Sequence, residues 1–527
     1  MMHRRSMMAG GAIAALPRIA IGQPAGSRVL RFVPQANLAS LDPIWTTATV
    51  TRNYAYLIFD TLFGTDDALV PRPQMAEGYD VTDDGRRWTI RLRDGLMFHD
   101  GTAVLARDCA ASLTRWMRRD ALGGSIATVL DALEAPDDRT LVFRLRRPFP
   151  LLLHALAKTQ PSAPFIMPAR IAATDPFKQI TEVIGSGPFR FVPDEYVVGS
   201  RIVFARNDAY RPRDDAPSSV AGAKRAMVDR VEWRILPEPA TAVNALRTGE
   251  VDWVEQPLPD LIPTLTAERS VVVGQLDPYG LYPVLRFNSI QPPTDNLMLR
   301  QAILAAIDPR EVMQAVMGDD PSTYNAPIGC FLPGSPSANS AAMDRLGGML
   351  PRAVLREMVR ASGYAGQKVV LLHPTDQPFY DAMSQVCAAT LKDIGITVDD
   401  AAMDFGTVVQ RRVSKEPLDR GGWSMFCASF PGLDYASPLD IPGLRGHGAR
   451  AFFGWPTDPV IEGLRDQWLD ATDDGTRVRL AAAIQTQAFT DPAQVPLGQY
   501  FPRGAWRSNV TGHLKGQPPL FWNVTKE

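Results

Sequence analysis

The fold is first indicated by residues 75–113, which read MAEGYDVTDDGRRWTIRLRDGLMFHDGTAVLARDCAASL. Between residues 88 and 92 apolar and polar side chains alternate, which predicts a strand with one buried face. Asp94-Gly95 supplies a turn, and the apolar positions of residues 105–116 then recur at helical spacing. We therefore expect a small α+β unit in this part of the chain.

The pair His99-Asp100 in this stretch has the residue types of a catalytic dyad. Adjacent residues of an extended chain point to opposite faces, so these two side chains cannot act as a pair by themselves. Asp100-Gly101 is also a turn dipeptide, and a carboxylate is favoured beside the start of the helix that follows. We interpret the pair as structural rather than catalytic.

Composition narrows the class of protein. The 527 residues are too many for one core and predict two or three domains. The formal charge of −2, without a long basic run, argues against nucleic acid as a partner. The chain lacks GxSxG, HExxH, P-loop and GxGxxG motifs, and its six histidines are not spaced as metal ligands. We therefore expect no enzymatic activity, no metal site and no cofactor.

Residues 1–26 have the pattern of a secretory signal peptide, with Arg4-Arg5 before a short apolar run and a zone of small residues. The apolar run is too short to span a bilayer, although a retained N-terminal anchor is the alternative. Arg4-Arg5 loosely fits a twin-arginine export signal, so the export route stays open. No cysteine precedes Cys109, which argues against a lipoprotein and for a soluble periplasmic protein.

The four cysteines are far apart in sequence and form no CxxC pair, so a zinc or redox motif is not expected. An oxidising compartment permits one disulfide, but the sequence does not select the pair. The candidates are Cys109, Cys330, Cys387 and Cys427.

Residues 423–455 are rich in aromatic residues, glycine and proline and predict a long irregular segment inside an otherwise regular α/β lobe. Such segments are often binding loops, and aromatic walls with a few polar groups are typical of a small-molecule cleft. An aromatic cluster buried beneath a surface loop is the alternative. The candidate ligand-binding residues in this segment are Trp423, Phe430, Asp434, Tyr435, Arg445 and His447.

Several motifs in a fixed order resemble those of the extracellular solute-binding proteins, family 5, which are the peptide- and nickel-type substrate-binding subunits of ABC importers. Besides the opening stretch, the motifs are GSGPFRF at 185–191, NALRTGEVDWVE at 244–255 and LRFNSIQPPTDNLMLRQAILAAIDPREVM at 285–313. The resemblance implies an α/β fold, a two-lobed periplasmic-binding-protein clamp (class II-like, cluster C) with an inserted α+β subdomain. The implied boundaries are 27–64, 184–281 and 497–527 for lobe I, 65–183 for the insert and 282–496 for lobe II. The connecting strands would be PVLRFN at 283–288 and VPLGQY at 495–500.

The resemblance also implies the function, which is capture of a peptide or peptide-like solute by hinge closure and delivery by a monomer to a membrane permease. In peptide-binding members an aspartate in a D-Y-x-x-P segment binds the ligand ammonium, and Asp434 in FPGLDYASPLD matches it. Trp45 and Thr46 lie on the lobe I segment that faces the ligand. Gln377 stands where many dipeptide-binding members have a carboxylate-binding arginine. Arg411, Arg412 and Arg445 are the possible substitutes.

Three alternatives stay open at this point. A metal chelate would use His447 near Arg445, and an opine or a sugar oligomer would occupy the same cleft. A periplasmic hydrolase on a similar fold is the most remote of these, and it would depend on His99.

Overall fold

The computed structural model describes residues 28–439 and 441–527. The predicted signal peptide at 1–26 lies outside the described residues, so its presence and the export route stay predictions. Among the helices of the described ranges, none is both long and apolar enough to cross a membrane.

The lobe I sheet is built around the strand Val29–Val33, which runs parallel to both of its neighbours. Phe32 on this strand packs against the rings of Trp233, Trp253 and Phe521, with centroids 4.9 to 5.4 Å away. In spatial order the strands are Phe189–Phe191, Arg201–Arg206, Arg230–Arg234, Val29–Val33, Trp253–Val254, Gly504–Arg507 and Val271–Gly274. The helices are Thr49–Ile58, Pro239–Thr248 and Ile262–Thr266.

Residues 75–113 contribute to a separate antiparallel sheet, which we call the insert sheet. The predicted strand is Arg87–Leu92 in this sheet, and the predicted helix is Ala106–Met117, which follows it. His99 is mostly buried, and its Nε2 lies 3.1 Å from the carbonyl oxygen of Gly187. Asp100 accepts hydrogen bonds from Thr102 and forms an ion pair with Arg170 at 3.1 Å, so both side chains serve local structure. The strands are Ala76–Thr82, Arg87–Leu92, Thr140–Leu145 and Leu130–Glu134, and the helices are Ala106–Met117, Ala121–Val129, Leu152–Leu156 and Ala169–Ala172.

The lobe II sheet contains a long antiparallel pair, Leu281–Phe287 and Met425–Pro431. The predicted irregular segment 423–455 therefore begins with a regular strand and becomes irregular only after it. The other strands are Tyr324–Asn325, Gln499–Tyr500, Gln494–Pro496, Val369–Pro374 and Val398–Met403. The helices are Leu297–Ala306, Pro309–Met317, Arg352–Ala361, Pro378–Asp393, Phe405–Arg411, Pro459–Asp470 and Asp474–Thr490.

The chain crosses between the lobes at positions that differ from the predicted ones. The segments 283–288 and 495–500, predicted as connections, lie within the lobe II sheet, where they pair with each other and with neighbouring strands. The crossings are the short stretches 275–280 and 501–503, between the last strand of one sheet and the first of the next. The remaining short strand pairs are Asp60–Thr61 with Phe165–Ile166, Phe63–Thr65 with Pro71–Pro73, and Val510–Thr511 with Thr525–Lys526.

Candidate ligand-binding cleft

A cleft between the two lobes holds two adjoining cavities, of about 300 Å³ and about 490 Å³. Each cavity is within the size range of small-molecule sites, and the two share part of their lining, so a ligand that occupies one can extend into the other. The shared residues are Gln35 and Thr49 from lobe I, and Gln377, Tyr380, Ser429 and Pro431 from lobe II.

The smaller cavity, which we call the aromatic cavity, is walled on the lobe II side by Phe405, Phe426, Phe430 and Phe452. The rings of Phe430 and Phe452 meet edge to face with centroids 5.4 Å apart. Lobe I closes the opposite side with residues 46–50. These rings supply the apolar surface that is typical of a small-molecule site. In such sites a few charged or polar groups fix the orientation of the ligand.

Asp434 lines the aromatic cavity from a short 3-10 turn, Gly432–Tyr435. The N–H of Gly432 donates to the carbonyl oxygen of Gly280, 2.7 Å away, in the crossing segment between the lobes. A Cβ atom at residue 432 would lie only 2.0 Å from the carbonyl oxygen of Tyr279, so this close approach requires glycine. The turn that carries Asp434 is therefore fixed to the crossing segment.

The two sides of the cleft touch through polar contacts. The Nε2 of Gln160, on the insert side, donates to the carbonyl oxygen of Leu433 at 3.1 Å. Arg147 of the insert forms an ion pair with Asp470, at the end of a lobe II helix, at 2.5 Å. These contacts exist only while the insert lies against lobe II.

Arg412 lines the aromatic cavity directly after the helix Phe405–Arg411. Its guanidinium lies over the ring of Phe453 at 4.8 Å and over the ring of Phe426 at 6.0 Å. Burial lowers the pKa of this arginine from its ordinary value, because the surroundings disfavour the charged form. The cation is therefore held by aromatic faces and directed at the cavity.

The larger cavity, which we call the lobe I cavity, contains the buried Arg52. Its guanidinium donates to Asn53 Oδ1 at 2.8 and 3.1 Å and to Gln517 Oε1 at 3.1 Å. Asn53 in turn donates through Nδ2 to Glu255 at 3.0 Å, and the backbone N–H of Gln35 donates to the same carboxyl at 2.8 Å. A hydrogen-bonded chain thus links the arginine to the acid.

Glu255 and Asp277 line the lobe I cavity as half-buried acids. Burial raises the pKa of each to about 7, and the positive charge of Arg52 only partly opposes this rise. Asp277 also accepts a hydrogen bond from the N–H of Tyr279 at 2.8 Å, in the crossing segment. The charge of this cavity therefore changes with pH near neutrality.

Of the sequence-predicted residues, the structure brings Thr46, Phe430 and Asp434 together in the lining of the aromatic cavity. Trp45 is not in that lining. Its ring stacks with the guanidinium of Arg119 at 5.1 Å, and its carbonyl oxygen accepts a hydrogen bond from the same arginine at 2.9 Å. Trp45 therefore fastens lobe I to the insert beside the cleft.

Trp423 and Tyr435 lie in the core of lobe II and line neither cavity of the cleft. Trp423 packs edge to face on Phe426 at 5.0 Å, behind the cleft wall. Tyr435 stacks on Tyr282 with centroids 4.0 Å apart, and its hydroxyl accepts a hydrogen bond from Gln494 at 3.2 Å. Both aromatic residues lie behind the wall of the cleft and pack against residues of lobe II.

Arg445 and His447 form a polar cluster with Glu462, at 3.2 and 3.0 Å. Arg445 lines a different cavity, which also contains Ser289. Ser289 lies just after the end of the strand Leu281–Phe287, whereas Leu281, at the start of that strand, lines the cleft. Burial has the largest effect in lowering the pKa of His447, and the positive charge of Arg445 lowers it further. Within residues 28–439 and 441–527, no group of three His, Cys, Asp or Glu side chains could hold a metal ion.

The sequence analysis missed the lobe I cavity, although its residues carry a recognisable pattern. Gln35 comes shortly after the strand Val29–Val33, and Glu255 directly follows the parallel strand Trp253–Val254. Polar residues after neighbouring parallel strands meet at one edge of the sheet, where ligands of such sheets commonly bind. Arg52 carries no such pattern, because it lies within a helix.

Comparison with known proteins gives concordant results. A family model described as bacterial extracellular solute-binding proteins, family 5 Middle, matches residues 70–441. A probable peptide ABC transporter periplasmic-binding protein of Sinorhizobium fredii is 35% identical over 531 residues, covering 98% of both chains. AgaA from A. tumefaciens R10, solved with agropinic acid, has a TM-score of 0.79 at 21% identity, covering 95% of this chain and 99% of its own. DppA from Helicobacter pylori, solved with the peptide STSA, has a TM-score of 0.78 at 21% identity, covering 95% and 98%. The predicted fold class is confirmed.

Proposed function

Because this chain belongs to the bacterial extracellular solute-binding proteins, family 5, we propose that it is the substrate-binding subunit of an ABC importer for a peptide or peptide-like solute. The observation that carries the proposal is the cleft, where an aromatic wall and an aspartate from lobe II face polar groups from lobe I. The relative from Sinorhizobium fredii, named as a probable peptide-binding protein, supports the choice of solute.

Capture proceeds by closure of the lobes around the solute. A ligand that contacts both lobes binds the closed form more tightly and shifts the population towards it. A shift from mostly open to mostly closed requires about 5 kcal/mol of differential affinity. The short crossing segments 275–280 and 501–503 are the places where the chain can absorb the rotation.

We assign Asp434 to the ligand ammonium, and Thr46 and Phe430 to its neighbouring surface. A carboxylate in a closed cleft forms a strong, directional charge-assisted bond with an ammonium group. We propose that the protein passes the solute unchanged to the membrane permease and has no enzymatic activity. We also propose that it acts as a monomer in the periplasm. Arg445 and His447, on which the metal-chelate alternative depended, lie outside the cleft.

Native mass spectrometry of the purified protein tests this function. We expect a complex whose added mass, released on denaturation, belongs to a peptide or an amino-acid derivative. A thermal-shift screen of di- and tripeptides complements it, since a ligand at 100 times its Kd stabilises by about 2.7 kcal/mol. Absence of a bound solute, together with no shift from any member of the screen, would contradict the proposal.

A further inference from the structure

Two of the four cysteines lie against each other inside lobe II. Cys387 is on the helix Pro378–Asp393 and Cys427 is on the strand Met425–Pro431, and the helix packs against this strand. Both side chains are buried, at 0% and 3% exposure. Their thiols interact directly, and this contact is the largest cause that raises the pKa of Cys387. The fold thus brings together two sulfur atoms that are far apart in sequence.

Regular elements hold the two cysteines in place. Met383, Cys387 and Leu391 are buried and recur every fourth residue, so they form the face of the helix that lies on the sheet. Cys427 lies within its strand, where it pairs with Leu285 of the neighbouring strand. The contact between the two thiols is therefore a fixed feature of the packed lobe and does not depend on a loop.

The other two cysteines lie elsewhere. Cys109 is on the helix Ala106–Met117 of the insert. Cys330 is in a lobe II loop, where its backbone N–H donates to Gln485 Oε1 at 2.7 Å. Burial is the largest cause that raises the pKa of each of these two thiols. All four cysteines are in the described part of the chain, and within it Cys387 and Cys427 are the pair whose thiols touch.

We propose that Cys387 and Cys427 form a disulfide in the exported protein, and that Cys109 and Cys330 stay reduced. The inference goes beyond the proposed function and rests on it only for the oxidising compartment, in which disulfides persist. It selects the one pair that the sequence leaves open.

The bond forms by thiol–disulfide exchange with an oxidised dithiol protein or oxidised glutathione. The thiolate of one cysteine attacks the disulfide of the oxidant, so that a mixed disulfide forms and one thiol leaves. The thiolate of the second cysteine then attacks the mixed disulfide and releases the other thiol. The two electrons and the two protons that the cysteines lose end on the two thiols of the reduced oxidant.

The exchange takes place before lobe II has packed around the thiols. In the folded state, contact with Cys427 and then burial raise the pKa of Cys387, which keeps this thiol protonated and a poor nucleophile. The same burial shields the bond from reductants once it has formed.

The disulfide joins two elements of the cleft wall. The helix supplies Tyr380 to the lining of the aromatic cavity, and the strand supplies Phe426 and Phe430. A covalent bond between helix and strand therefore holds these three rings in one arrangement.

Alkylation of the unfolded protein tests the proposal. Protein recovered from the periplasm of an exporting host is unfolded in guanidinium chloride and treated with iodoacetamide, with and without prior reduction. We expect two alkylated cysteines without reduction and all four with it. In an unreduced tryptic digest, the peptides 369–392 and 421–445 should be linked to each other.

Cys387→Ala and Cys109→Ala are matched variants, because each removes one buried thiol. Without reduction we expect three alkylated cysteines in Cys387→Ala, where Cys427 has lost its partner, and one in Cys109→Ala, where the bond remains. A second measurement compares the Tm of each protein with that of a sample unfolded, reduced and refolded in reductant. We expect reduction to lower the Tm of the wild type and Cys109→Ala by about 5 °C or more and to leave that of Cys387→Ala unchanged.

Four alkylated cysteines in the unreduced wild type, or a disulfide that joins any other pair, would overturn this inference. An equal response of the two variants to reduction would also overturn it. These measurements involve no solute, so their outcome is separate from the test of the proposed function.

Discussion

At the scale of single residues, the surroundings of Asp434 connect its position to its predicted role. The side chain lines the aromatic cavity at 5% exposure, on a turn that is hydrogen-bonded to the crossing segment. The turn that carries the carboxylate is thus held to the crossing segment by a main-chain hydrogen bond. This placement is consistent with the proposed role of Asp434 as a contact for the ligand ammonium.

Asp434→Asn keeps the shape of the side chain and removes its charge. We expect it to weaken binding of amine-bearing ligands about 30-fold or more, because an ammonium in the cleft loses its counter-charge. Calorimetry with the peptide selected by thermal shift measures the change. Asp419→Asn, at an exposed aspartate of the same lobe, is the control, and equal affinities of the two variants would contradict the assignment.

Glu255 gives a pH dependence of stability with a defined sign. Its pKa in the folded protein is raised to about 7 from an ordinary value of 4.5, so the folded state holds the proton more tightly than the unfolded state. The stabilisation is complete below pH 4.5 and is lost as the pH rises through 7, for a total of about 3 kcal/mol. Urea unfolding of wild type and Glu255→Gln between pH 4.5 and 7.5 measures it. We expect the wild-type free energy of unfolding to fall more steeply with pH, and parallel profiles would contradict this.

At the scale of elements, Gly432 fixes the turn that carries Asp434. Gly432→Ala places a Cβ against the carbonyl oxygen of Tyr279 and must displace the turn. We expect a loss of about 1–3 kcal/mol in the free energy of unfolding, together with weaker ligand binding. Gly463→Ala is the matched control in an open position of the helix Pro459–Asp470, where the change should stabilise by about 0.5–1 kcal/mol. Similar behaviour of the two variants, measured by urea unfolding, would disprove the steric argument.

Local chemistry made some elements predictable. Asp308-Pro309 predicts the start of a helix, and in the structure Asp308 accepts the N–H of Arg310 at the start of Pro309–Met317. The site was harder to predict, because Trp423 and Phe426 are equally apolar in sequence, and only the packing places one behind the wall and the other on it. The sequence also does not show which of the neighbouring residues Arg411 and Arg412 faces the cleft. A rotation of about 100° between adjacent positions at the end of a helix directs one side chain to carbonyl groups and the other to the cleft.

At the scale of the whole molecule, the ion pair between Arg147 and Asp470 spans the insert and lobe II. Both side chains are about half exposed, so the pair contributes no more than about 1 kcal/mol, and only while the insert lies against lobe II. We expect Arg147→Glu to weaken ligand affinity about 2- to 5-fold, and Arg147→Glu combined with Asp470→Arg to restore it.

Calorimetry at low and high salt checks this, since screening should reduce the effect of an exposed pair. Arg146→Glu is the control, because it makes the same charge change at a residue that donates to the carbonyl oxygen of Thr128 within the insert. Equal losses in the two single variants would show that net charge matters and the pair does not.

The pairing of Leu281 with Tyr500 places the beginning and the end of lobe II side by side. The roughly 220 residues of 281–500 therefore begin and end at neighbouring positions, both in the lining of the lobe I cavity. A segment with adjacent ends can be exchanged for a counterpart without rerouting the rest of the chain. Most of the charged and aromatic groups of the aromatic cavity lie within this exchangeable segment, so a new specificity can be installed while lobe I and the insert stay as they are.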